Sequence, residues 1–315
     1  MPTPLVSILI PCFNAAPWLA ETIESALAQT WPKSEIIVVD DGSTDQSFQI
    51  ASNYVSRGVL VLKQSNQGAS AARNAAFAAC HGSWIQYLDA DDLMSPDKIE
   101  RQMHLAAEHG EKHIICASWA RFNLSAMDAA FTPQPLCMDS NPLEWVLLKA
   151  LSQKSLMMHP AAWLLSRDLV ERAGPWDERL SLDDDGEFFN RAVLRSEGVR
   201  FCAQAISYYR SNVEGSLSGR QDSRAWRSAY LSTSLTVDQV LSVEDSARTR
   251  QACAAMFQRL IYCAYPDCPE VVGLCRDQVH LLGGTSLRPE VGPRLKFVSQ
   301  LIGWKMAKRL KNLVG

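Results

Sequence analysis

Apolar and polar positions switch between two periods through the first part of the chain. Val6-Ser7-Ile8-Leu9-Ile10 is a short apolar run that reads as a buried strand ended by Pro11. Asn14-Ala15-Ala16-Pro17 then opens a helix with Leu19, Ile23, Ala26 and Leu27 on one face, stopped by Trp31-Pro32. The beat repeats with strands at 35–39, 59–62 and 84–88 and an alanine-rich helix at 68–79. The turn Asp40-Asp41-Gly42-Ser43-Thr44-Asp45 is placed to cap the helix that follows it. This alternation predicts an α/β fold built on a doubly wound, mostly parallel sheet. Ligands of such sheets gather beyond the carboxyl ends of the strands, where 11–14, Asp40-Asp41 and Asp89 to Asp92 all fall.

Farther on, the pattern predicts a helix at 96–108, a strand at 114–119, a loop at 132–135, a helix at 141–151 and a strand at 161–165. Arg167 to Ala173 reads as a short helix ended by Gly174-Pro175. Asp183-Asp184-Asp185 precedes an amphipathic helix carrying Phe188, Phe189, Ala192 and Val193, and 205–210 is one more strand. After about Gly219 the pattern is helical, which predicts a separate C-terminal helical appendage.

Composition narrows the classes. A length of 315 residues with 47% hydrophobic positions fills a substantial core, and a net charge of -3 excludes a general nucleic-acid binder. Nine cysteines without regular pairing fit reduced thiols, and the run 5–10 is too short for a signal peptide or a membrane span. Together these place the chain on the cytoplasmic side.

The densest chemistry lies in Tyr87-Leu88-Asp89-Ala90-Asp91-Asp92. Aspartates one residue apart on an extended chain point the same way, so Asp89 and Asp91 can face one Mg or Mn divalent cation shared with phosphate oxygens. The competing reading is a solvated acidic turn ahead of a helix cap at Ser95-Pro96. For Asp183 to Asp185 the competing reading is a set of acids suited to a helix N-terminus.

Four stretches in order change those odds: 6–14 (VSILIPCFN), 37–45 (IVVDDGSTD), 67–74 (QGASAARN) and 87–92 (YLDADD). As a set they resemble the inverting family 2 glycosyltransferases of the GT-A fold, over roughly the first two thirds of the chain. The resemblance implies a catalytic domain over 1–218, with a nucleotide-binding half at 1–118 and an acceptor-side half at 119–218, followed by a helical region at 219–315. It implies a nucleotide-sugar donor, UDP-linked, with Pro11 and Asn14 bordering the nucleotide and Asp41 accepting from the base imide. Arg73 would lie at the diphosphate, Asp89 at the ribose or a metal-bound water, and Asp91 on the metal. Asp92 is left to cap the segment from Leu93. Downstream, 174–178 and 184–191 resemble the acceptor side, where Asp185 is the general base and Asp184 the second choice. Tyr208-Tyr209-Arg210 with Ser216-Leu217-Ser218 resembles a segment that closes over the nucleotide, although Ser211 and Asn212 stand where the family often has histidine. The implied acceptor is a carbohydrate or glycolipid hydroxyl in bacterial-type polysaccharide, lipopolysaccharide or glycolipid assembly.

Two features stand outside this set. Cys263, Cys268, Cys275 and His280 lack the paired spacing of a zinc site and read as helix thiols. Leu295, Val298, Ile302, Met306 and Leu310 share a helical face, with Lys305, Lys308, Arg309 and Lys311 nearby. That helix either packs on the domain or makes peripheral contact with an anionic membrane. The alternatives in function are a non-catalytic nucleotide-binding scaffold and a nucleotidyltransferase. The latter, like a dinucleotide-dependent dehydrogenase, would carry a glycine-rich loop where Pro11-Cys12-Phe13-Asn14 stands.

Overall fold

The computed structural model describes residues 3–132, 134–153, 156–212, 222–288 and 303–309. Its centre is β1 (Val6–Cys12), flanked in parallel by β2 (Ser34–Asp40) and β4 (Trp84–Tyr87), with β3 (Val59–Lys63) beyond β2. Helices α1 (Leu19–Leu27), α2 (Ser47–Ser52) and α3 (Ala69–Ala79) make the crossovers. Chain order reverses on either side of β1, which opens a crevice at the carboxyl ends of β1, β2 and β4.

β1 reads as continuously apolar because both its faces are buried. Val6, Ile8 and Ile10 join one core with Leu19 and Ile23 of α1, while Leu9 joins the other with Ala72 and Ala76 of α3. The strand runs past its expected end: Pro11 lies within it opposite Val39, and pairing stops at Cys12.

The remaining elements are β5 (Leu93–Met94), α4 (Lys98–His109), β6 (His113–Phe122), α5 (Pro142–Leu151), β7 (Trp163–Ser166), α6 (Arg167–Ala173), α7 (Asp184–Arg195) and β8 (Gly198–Arg210). The strands form one sheet in the order β3-β2-β1-β4-β7-β6-β8-β5. It is parallel from β3 to β4 and between β6 and β8; β7 runs antiparallel to both neighbours, as β5 does to β8. β8 begins at Gly198 rather than at Ala205, because its first residues pair in parallel with His113 to Ala117.

Beyond the sheet come α8 (Ser223–Val243), α9 (Ala247–Ala264) and α10 (Pro269–Leu281). Their apolar faces, including Trp226, Val240, Phe257 and Val271, belong to the same buried cluster as Leu9, Phe188 and Phe189. Among the described residues no helix is long and apolar enough to cross a membrane. The helical stretch 303–309 packs on the end of α9: Trp304 meets the rings of Tyr262 and Tyr265 at 5.4 Å, and Lys308 Nζ donates to the carbonyl of Cys263 at 2.9 Å. Leu295, Val298, Ile302, Leu310 and Lys311 lie outside the described residues, as do Ser216, Leu217 and Ser218. Cys268 and Cys275 are buried and Cys263 is exposed.

Candidate active site

The crevice is assembled around α3. Its N-terminus is held by Asp41, whose carboxylate accepts from the backbone of Gln67 at 2.9 Å and Gly68 at 2.8 Å and from Gln64 Nε2 at 2.7 Å. A negative group suits that end of a helix, and Gly68 supplies the positive φ of 98° needed to enter it. Asp41 is buried with three of its roughly four acceptor sites used. Beside it Asn14, at φ 49°, accepts from Thr44 N at 2.8 Å and ties the loop after β1 to the loop after β2. Pro11, Asn14 and Asp41 thus form one group at the strand ends.

One turn along α3, Arg73 enters the interior. Its Nη2 donates to Asp89 Oδ1 at 2.8 Å and its Nη1 to Asp184 Oδ2 at 2.7 Å, while its guanidinium lies 4.3 Å from the ring centre of Trp176. A planar fork is suited to two carboxylates held apart in this way, and the pair of charges keeps the guanidinium firmly protonated. Both terminal nitrogens that the resemblance assigned to the diphosphate are therefore on carboxylates.

Asp89 to Asp92 form a turn directly after β4, closed by Asp92 N donating to Asp89 O at 3.1 Å. Thr22 Oγ1 of α1 lies 3.0 Å from the carbonyls of both Ala90 and Asp92. Asp91 is half-buried, and its carboxyl is pushed up to about 8 by burial, then by Asp92 and Asp89. Clustered hard oxygens with this repulsion fit a divalent cation. Among the described residues no group of three or more His, Cys, Asp or Glu could hold a metal by itself.

Asp92 does something else. No helix starts at Leu93, and Asp92 is fully buried with Oδ1 accepting from Arg210 N at 2.9 Å and Oδ2 lying 2.7 Å from His159 Nδ1. The expected cap is thus a buried anchor. Arg210 adds to it: its guanidinium sits between Trp18 and Phe122 at 4.4 and 4.3 Å, and its Nε donates to the carbonyl of Asp91 at 2.8 Å. Its Nη2 reaches Glu21 on α1 at 2.5 Å.

At the other side of Arg73, Asp183 to Asp185 open α7. Asp183 takes a φ of 61°, and Ser232 of α8 donates to its carboxylate at 2.7 Å. A Cβ at Gly186 would run into the Asp183 carboxylate and force it to shift. Asp184 is taken by Arg73, whereas Asp185 Oδ1 accepts from the neighbouring Gly186 N at 2.8 Å. Burial, then Asp184 and Asp183, push the Asp185 carboxyl up to about 7 while Arg73 pulls the other way. The helix start rests on an aromatic stack in which Trp176 lies 4.1 Å from Phe188, with Tyr87 edge-on to both. Such pairs contribute about 0.5–1.5 kcal/mol each beyond area burial.

The fold therefore brings Arg73, Asp89 and Asp184 into contact and sets Asp185 beside them, with Asp91 next along the turn. Thr22, His159 and Ser207 were not anticipated. His159 and Ser207 are lone polar residues in apolar contexts and Thr22 lies between Glu21 and Glu24, and nothing local to any of them distinguishes a site residue from a satisfied core residue.

The Glycosyl transferase family 2 profile matches residues 7–174. An uncharacterized glycosyltransferase of Bacillus subtilis, EpsJ, is 31% identical over 215 residues, which make up 66% of this chain and 62% of that protein. The chain thus spans less than two thirds of that relative. Staphylococcus aureus TarS 1-349 in complex with UDP-GlcNAc superposes with a TM-score of 0.62 at 16% identity, covering 87% of each chain. The mannosyltransferase PcManGT from Pyrobaculum calidifontis, in complex with GDP-Man and Mn2+, gives 0.56 at 14% identity over 99% of this chain and 87% of that one. At these identities the two structures establish a shared GT-A fold.

Proposed function

Because the chain belongs to glycosyl transferase family 2, we propose that it moves a glycosyl unit from a nucleoside-diphosphate sugar, UDP-linked, to a carbohydrate or glycolipid hydroxyl by single displacement with inversion. The observation that carries this reading is the Arg73 fork. One guanidinium spans from Asp89 on the donor side to Asp184 on the acceptor side and leaves Asp185 unpaired next to Asp184. An acceptor hydroxyl is a poor nucleophile until its proton is withdrawn, and a carboxyl near 7 suits a base working at neutral pH. Asp185 is that base; Arg73 keeps Asp184 from competing for the same proton.

On the donor side Asp91, with Asp89, would hold Mn or Mg, which when bound offsets charge on the departing diphosphate. Pro11, Asn14 and Asp41 line the strand ends where the base and ribose would lie. The UDP-GlcNAc complex of TarS supports a uridine nucleotide. Residues 1–218 would act as the catalytic unit and 219–315 as its helical support. The reading includes a cytoplasmic location, with the basic helix around Lys305 and Arg309 touching the inner membrane face.

The test is thermal unfolding with UDP, GDP and dTDP, each with and without Mn2+, followed by transfer assays with the stabilising nucleotide's sugars. A ligand bound only by the folded state raises the melting temperature. A Mn2+-dependent rise with UDP alone, and a product of inverted anomeric configuration, are the expected results. Stabilisation by none of the three nucleotides would overturn the donor assignment.

A further inference from the structure

We propose that His159 is a positioning residue for the metal-and-diphosphate end of the donor site, acting through Asp92. The inference rests on the donor-site reading above and adds to it a residue that touches no ligand.

His159 is 1% exposed and bridges two elements through opposite ring nitrogens, Nδ1 lying 2.7 Å from Asp92 Oδ2 and Nε2 lying 2.9 Å from Ser207 Oγ. The order Asp-His-Ser has the contacts of a hydrolytic triad. Ser207 is completely buried, however, so no substrate reaches its hydroxyl and a nucleophilic role is excluded. What the bridge fixes is the Asp92 carboxylate. With Oδ2 on His159 and Oδ1 on Arg210 N, both oxygens of Asp92 point inward, so that of the acids in this turn Asp89 and Asp91 are left for the crevice. A buried carboxylate is costly unless its acceptor sites are filled, so removing the imidazole partner leaves Asp92 Oδ2 unsatisfied and loosens the turn that carries Asp89 and Asp91.

The histidine itself has little freedom. It begins the turn Pro160-Ala161-Ala162, whose carbonyls at Ala161 and Ala162 each accept at 3.2 Å from buried amides, Gln86 Nε2 and Gln102 Nε2. The fully buried Lys98 ammonium donates to the oxygens of both amides, which sets the direction of each. Trp119 and Tyr209 flank the imidazole with ring centres at 5.5 Å. The metal turn is thus aimed from behind by a rigid chain running from α4 through 159–162. Groups that orient metal ligands in this way typically change affinity about 10–100-fold when removed.

Two variants separate positioning from packing. In His159→Asn the amide nitrogen replaces Nδ1 and keeps the bond to Asp92; in His159→Gln it replaces Nε2 and keeps only the bond to Ser207. UDP affinity is measured by calorimetry with and without Mn2+, alongside far-ultraviolet circular dichroism. The expected result is a Mn2+-dependent loss of about 10–100-fold in His159→Gln, a much smaller loss in His159→Asn, and unchanged metal-free UDP affinity in both. Equal affinities in the two variants, whether near wild type or equally reduced, would overturn the inference alone. If wild-type protein binds UDP no better with Mn2+ than without, the donor-site reading and this inference fail together. Should His159→Gln not fold, Ser207→Ala with unchanged Mn2+-dependent binding supports transmission through Asp92, and a loss as large as that expected for His159→Gln overturns it.

Discussion

Two runs of adjacent aspartates flank one arginine, and the protein sorts them by different means. In Asp89 to Asp92 the backbone is immobilised by α1 and β8, and the inward acid, Asp92, is satisfied by a histidine and a main-chain amide. In Asp183 to Asp185 the sorting is done by partners on other helices: Ser232 takes Asp183, Arg73 takes Asp184, and Asp185 is left over. In the first run burial, then Asp92 and Asp89, raises Asp91 to about 8, and such a cluster of hard oxygens suits a cation. The second run commits two acids to other partners, and among the described residues the third, raised to about 7, makes no ion pair of its own. Three like residues in a row thus acquire distinct tasks through what each one touches.

The comparison breaks most severely at Asp185. Asp185→Asn should lower transfer by about 10²–10⁴-fold with UDP affinity unchanged, since a positioned base contributes on that order; full transfer in calorimetrically competent protein would remove the base assignment. Asp91→Ala comes next, with Mn2+-dependent UDP affinity falling by roughly 10–100-fold and metal-free affinity preserved. The crossbar itself is tested by Arg73→Gln through pH. Asp185 accepts a proton only when ionised, so the rate should fall as pH drops through about 7. Arg73 lowers that value, so removing its charge should move the acid limb to higher pH, by about one unit for a loss of some 1.4 kcal/mol. An unmoved limb in a pH-rate profile would detach Arg73 from the base. The smallest effect is expected at Ser232→Ala, where losing one bond to Asp183 costs about 1 kcal/mol and a few-fold in transfer, read as kcat with KM for donor unchanged.

Much of this was legible in the sequence. The helix at Arg167 to Ala173 and the strand cores of β1 to β4 follow directly from period and punctuation, because each buries its apolar positions close to where the pattern puts them. The acids became legible through the ordered motifs that resemble the family, since each run by itself also reads as a solvated turn or a helix N-terminus. What stayed hidden is of another kind. His159, Ser207 and Thr22 matter through partners 48 to 70 residues away, and no local spacing announces such pairs. Arg73 was recognised as a site residue, but its two carboxylate partners lie on different elements, and only the fold says that both reach it. β8 was read short because Arg200 and Gln204 interrupt its early apolar residues, whose parallel pairing with β6 supplies the stabilisation.

The serines of α8 carry a consequence for exchange between relatives. Ser228 holds the backbone amides of Ser181 and Leu182 at 2.8 and 2.9 Å, and Ser232 holds Asp183, so the segment that presents Asp185 is moored to a helix some forty residues farther on. A chimera joined between α7 and α8 would import a foreign mooring and tilt the base, whereas a junction beyond Val243 would carry the base and its mooring across as one inherited part.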